Sequence, residues 1–112
     1  MKKVTVVLIG LLAGCVTGYG GEHLYGSGPI SFSPSTQLAY KNYHAIRSLL
    51  IDCKMAFAVT LDGQGSTPIL EYGFHCPRYI EDVVISSVNL CEKENGRKCL
   101  LYAVEEKVVW KQ

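Results

Sequence analysis

The sequence predicts a small α+β domain. Its elements are an N-terminal helix, a β-hairpin, a second helix, and a C-terminal strand or short hairpin. Together they form one small antiparallel sheet with helices on one face. Three observations carry this. Apolar residues recur at helical spacing in two stretches, residues 34–50 and 80–91. Between them, large and small residues alternate with the period of a strand over residues 55–61 and again over 70–74. Four cysteines, Cys53, Cys76, Cys91 and Cys99, fall within this region, and small domains with limited cores often need such staples.

The first helix starts at Ser33-Pro34, with Ser33 as N-cap and Pro34 at the first helical position. Ala39, Tyr43, Ile46 and Leu50 form its apolar stripe, and Gln37, Lys41, His44 and Arg47 its wetter side. The expected span is 34–50. Tyr40 and Tyr43 read as core, and His44 as a surface residue.

The hairpin follows. Met55, Phe57 and Val59 alternate with small residues, as do Leu70, Tyr72 and Phe74, and residues 62–66 are rich in turn formers. Centring the hairpin on Gln64-Gly65 sets Val59 against Leu70, Phe57 against Tyr72 and Met55 against Phe74, all facing the core. The same register brings Cys53 opposite Cys76. Opposed strand residues lie about 4.5–5.5 Å apart between α-carbons, which suits a disulfide. A Cys53–Cys76 bridge is therefore expected. The other face, with Ala56, Ala58 and Thr60, is small and partly polar, open to solvent or a partner.

Beyond Cys76-Pro77 a second helix is expected, with Glu81 and Asp82 at its positive end. Ile80, Val84, Val88 and Cys91 form its stripe, and Gly96 its left-handed stop. Residues 99–104 read as a strand, 105–107 as a turn and 108–110 as a last short strand. Cys91 and Cys99 flank the Asn95-Gly96 turn, so a second bridge is expected there.

The N-terminal end has a different character. Lys2 and Lys3 precede an apolar run over residues 4–12, followed by Leu12-Ala13-Gly14-Cys15. A basic start, a short apolar core and small residues before a cut make a secretory signal. The run is too short to span a membrane, which takes about 20 apolar residues. Leu12-Ala13-Gly14-Cys15 resembles a bacterial lipobox. The resemblance implies that Cys15 is lipidated and becomes the first mature residue. It also implies that Val16, in place of an inner-membrane-retaining Asp, favours the periplasmic face of the outer membrane. The expected organisation is a signal peptide over 1–14, a lipidated cysteine and Gly-rich tether over 15–32, and a disulfide-stapled domain over 33–112. Five of the thirteen residues 16–28 are glycine.

Losing Lys2 and Lys3 with the signal leaves nine basic side chains against ten acidic ones. A net charge of −1 offers no basic excess for nucleic acid. An exported chain with four domain cysteines reads as two disulfides. His75 beside Cys76 places a base next to a nucleophile. Adjacent strand residues point to opposite faces, however, and a disulfide removes the thiol. The seven residues between Cys91 and Cys99 do not match zinc-knuckle spacing. The sequence thus predicts no catalytic residue, no metal site, no cofactor and no small-molecule substrate.

Several short motifs resemble a second family. Gly26-Ser27-Gly28-Pro29-Ile30 with Ser33-Pro34, residues 57–63, Cys76-Pro77, Cys91, Cys99 and Val109-Trp110 are similar to a family of small exported alphaproteobacterial domains of unknown function. That resemblance implies an exported, cysteine-bearing domain and supplies no activity to carry over. The expected role is a non-catalytic envelope lipoprotein, an interaction or structural module with a membrane contact through its anchor and an envelope protein as partner. The alternative is a lipid-anchored inhibitor or immunity protein against a periplasmic hydrolase, acting through the 62–67 turn.

Overall fold

The computed structural model describes residues 22–50, 52–68 and 78–112. Within them lie two long helices, α1 (Pro34–Leu49) and α2 (Ile80–Asn95), and three strands, β1 (Ala56–Thr60), β2 (Cys99–Val104) and β3 (Lys107–Val108). The strands form an antiparallel sheet in the order β1-β2-β3. The α+β class is as predicted. The lipobox with Cys15, the strand expected over 70–74, His75, Cys76 and Pro77 lie outside the described residues.

Helix α1 starts as its sequence dictates. The Ser33 Oγ accepts a hydrogen bond from the Thr36 N–H at 3.2 Å, and Pro34 occupies the first turn. Helix α2 stops at Gly96, which adopts φ +65° and returns its N–H to the Glu92 carbonyl at 2.8 Å. Its start lacks a side-chain cap at Tyr79, but Glu81 and Asp82 face the positive end of the helix dipole.

Strand β1 is buried along its whole length, which corrects the expectation of a face open to solvent or a partner. Alternation along the strand explains why. Phe57 points toward α1, where the rings of Tyr40 and Tyr43 lie 5.2 and 5.5 Å from it. Thr60 pairs with Cys99, and Cys99 is bonded to Cys91 of α2, so the alternate face looks toward α2. The helix-on-sheet arrangement holds with one difference: the helices divide between the two faces rather than sharing one. The small Ala56 and Ala58 let α2 come close to the strand. Full burial of a side chain such as Phe57 contributes about 1.5–3 kcal/mol.

The principal partner of β1 is β2, with Ala58 against Leu101 and Val59 against Leu100. A bulge between Phe57 and Ala58 shifts the register. On its other side, among the described residues, β1 makes a short bridge, Val59 to Ser66. The Thr60 N–H donates to the Gly65 carbonyl and the Thr67 N–H to the Ala58 carbonyl. The expected register, Val59 against Leu70, is therefore wrong by four residues. Thr60 rather than a later residue closes the loop, for reasons that lie in the turn itself.

Residues 22–28, read from sequence as part of the tether, belong to the fold. A 3-10 turn at Glu22–Leu24 leads into two parallel bridges, Tyr25 to Leu101 and Ser27 to Lys111. The Tyr102 carbonyl accepts from both Val109 and Trp110, which ends the β2–β3 ladder. The 25–28 segment then takes the free edge: Gly26 donates to Leu101, and Lys111 donates to Gly26. A Cβ on Gly26 would collide with the Trp110 ring, and the Trp110 Nε1–H donates to the Gly28 carbonyl at 2.8 Å.

Candidate functional site

The turn between Thr60 and Thr67 is the candidate site, because it combines exposed side chains with a fixed backbone. The Thr60 hydroxyl organises it. It donates to Asp62 Oδ1 at 2.7 Å and accepts from the N–H groups of Gln64 and Gly65, each at 3.0 Å. A hydroxyl has one donor and two acceptor positions, and all are used. The Gly63 N–H donates to the Thr60 carbonyl at 2.9 Å.

Three elements hold this turn from outside. At the start of α1, the Ser33 N–H donates to the Gly63 carbonyl at 3.0 Å. At the end of α2, Asn95 Nδ2 donates to the Ser66 carbonyl at 3.2 Å. Beyond α2, Arg97 Nη1 pairs with Asp62 Oδ2 at 2.7 Å. Both glycines are demanded by these approaches. A Cβ on Gly63 would strike the Ser31 carbonyl, and one on Gly65 the Asn95 side chain. Gly63 also adopts φ +77°, a region that other residues enter at a cost. One layer inward, Thr67 Oγ1 donates to the Ser87 carbonyl of α2 at 2.9 Å and accepts from the Ala58 N–H at 3.0 Å.

The turn presents Leu61, 49% exposed, beside the Asp62–Arg97 pair. With Thr60 and Lys98 they line a shallow depression of about 190 Å³. The Asp62 carboxyl is held down at about 2, chiefly by the Thr60 hydroxyl, then by the Gln64 N–H and by Arg97. This arrangement offers a fixed carboxylate, a guanidinium and an apolar side chain.

The cysteines divide in two. Cys91 and Cys99 are bonded, as predicted, with α-carbons 6.1 Å apart. Cys53 is buried and disulfide-bonded. Cys76, the partner predicted for it, lies outside the described residues, and the register on which that pairing rested is not the one observed. His44 sits on the outer side of α1 with its ring 4.5 Å from that of Tyr40. Among the described residues, no three His, Cys, Asp or Glu side chains gather at one point, and no helix is long and apolar enough to cross a membrane.

Sequence reasoning found the turn but missed Thr60, Ser33, Asn95 and Arg97 as its holders. One signal was legible: Thr60-Leu61-Asp62-Gly63 is the spacing of side-chain-to-backbone turns, which favour a tight loop. No protein-family model matches this chain, and no characterised protein or solved structure is significantly similar to it.

Proposed function

We propose that the protein is a non-catalytic lipoprotein of the bacterial cell envelope, anchored through Cys15, whose folded part is an interaction module. The lipobox-like Leu12-Ala13-Gly14-Cys15 supports the anchor. The interaction reading rests on the turn that follows β1: its backbone is held by the start of α1 and the end of α2 and its Asp62 side chain by Arg97, while Leu61 stays half exposed. A surface already held in one conformation loses little entropy on binding. The periplasmic face of the outer membrane is the favoured location.

Two measurements test this. The first is metabolic labelling with a fatty acid, followed by fractionation of wild type and Cys15→Ser. Wild type takes up label and sediments with membranes, while the variant does neither. A variant that still sediments at high salt sinks the anchor. The second is capture from envelope extract. Wild-type protein retains a partner that Leu61→Asp loses, and equal retention by both removes the turn from the proposal.

The same rigid turn supports a second reading, an inhibitor or immunity protein that inserts Leu61 into the cleft of a periplasmic hydrolase. It predicts that adding the protein lowers a hydrolytic activity of the extract and that Leu61→Asp restores it. Unchanged activity with the protein in excess rejects this reading.

A further inference from the structure

Glu22 lies close to Cys15 along the chain, and that closeness bears on how the domain sits at a membrane. Six residues separate Glu22 from Cys15. Fully extended, that connection reaches at most about 25 Å. If Cys15 carries lipid in the bilayer, the surface around Glu22 stays within about 25 Å of the headgroups.

That surface has a definite chemistry. Glu22 and Tyr25 border a recess of about 350 Å³ whose far wall is Lys107, Val108, Trp110 and Lys111. A second hollow, of about 470 Å³, continues it past Ser27. Val108 is 47% exposed, although it sits on the sheet edge beside buried Val109. Lys107 and Lys111 are exposed and make no ion pair among the described residues. Lysine side chains flanking an exposed apolar residue suit an interface: the ammonium groups meet phosphates while the aliphatic part lies against the upper acyl region.

We propose that this edge of the sheet rests on the bilayer edge-on, so that Lys107 and Val108, which alternate to either side of β3, both reach the interface, with Lys107 and Lys111 on phospholipid phosphates. The proposal rests on the lipid anchor at Cys15 and adds an orientation to it. The surface around Glu22 and the sheet edge face the membrane.

The chain contains one tryptophan, Trp110, and it lies in this recess, so the protein carries its own probe. Full-length lipidated protein, with acylation verified by mass, is reconstituted into phosphatidylethanolamine–phosphatidylglycerol vesicles with and without nitroxide-labelled headgroups. Cys15→Ser protein in solution with the same vesicles sets the background. The expected result is a loss of Trp110 emission specific to nitroxide vesicles. A Lys107→Glu, Lys111→Glu double variant should still sediment with the vesicles but recover most of that emission. Both lysines are exposed, and an unchanged far-ultraviolet circular dichroism spectrum confirms that the variant is folded. Protein that sediments with vesicles while its Trp110 emission ignores the nitroxide overturns the orientation and leaves the anchor standing. Acylated protein that fails to sediment overturns the anchor, and the orientation with it. Unquenched protein in which Lys107 cross-links to Lys107 of a second copy assigns the face to self-association instead.

Discussion

Arg47 Nη2 donates to Glu105 Oε1 at 2.8 Å, tying the last turn of α1 to the turn between β2 and β3. The second oxygen, Glu105 Oε2, accepts from the Met55 N–H at 2.6 Å, and the Glu105 carbonyl accepts from the buried Tyr43 hydroxyl at 2.6 Å. One residue thus serves a helix, the approach to β1 and a tight turn, in which it adopts φ +56°.

Removing that carboxylate should be costly. Glu105→Ala leaves the Met55 N–H without an acceptor and Arg47 without its better-buried partner. The expected destabilisation is about 2–3 kcal/mol. Glu105→Gln keeps an acceptor oxygen and should cost less. Urea unfolding with disulfides intact measures both. Equal loss for the two variants would mean that the charge, not the Met55 hydrogen bond, matters.

Asp62 should titrate far below an ordinary carboxyl. Its pKa is lowered from 3.8 to about 2, so the stability contributed by its ionised carboxylate is fully present above pH 4. It is lost as pH falls from there toward 2. The Asp62 side-chain carboxyl shift in a pH-resolved NMR titration gives the value directly. A midpoint near 4 would show that the Thr60 and Gln64 hydrogen bonds do not form in solution.

The glycines should rank by their surroundings. Gly63, Gly28 and Gly96 all adopt positive φ, but only Gly63 of the three also meets a backbone carbonyl at its missing Cβ. Gly96→Ala should cost about 1 kcal/mol from backbone strain alone. Gly63→Ala should cost clearly more, with the Ser33 cap disturbed as well. Thermal melts of the two variants decide it, and an equal loss would argue that the turn yields to the added methyl.

The bridge between Cys91 and Cys99 closes a short loop, and loop entropy puts its contribution at about 2–3 kcal/mol. Cleavage after Lys93 and Arg97 without reduction should yield the Cys91 and Cys99 peptides joined to each other. The peptide ending at Lys54 should appear in a separate linked pair. Mass spectrometry that joins the Cys53 peptide to either of the other two would refute the observed pairing.

Much of the fold was legible because its signals are local. Ser33-Pro34, Gly96 and the stripe through Val84, Val88 and Cys91 set the helices within a residue or a few of where they occur. Two things were not legible, for one reason. Large side chains point to one register for β1, whereas the small hydroxyl of Thr60 sets another. The glycines of 25–28 have the composition of a tether, whereas Gly26 is small because the ring of Trp110 lies against it. In both cases composition stood in for a partner: in the first it is a hydrogen-bond geometry, in the second a residue at the other end of the chain.

That second case bears on when the protein can fold. Gly28 and Trp110 are 82 residues apart, so the edge formed by 25–28 has nothing to pair with until nearly the whole chain has been delivered. Contacts of such separation close late. The 25–28 edge is therefore sealed only once the segment that carries Leu101, Trp110 and Lys111 is in place.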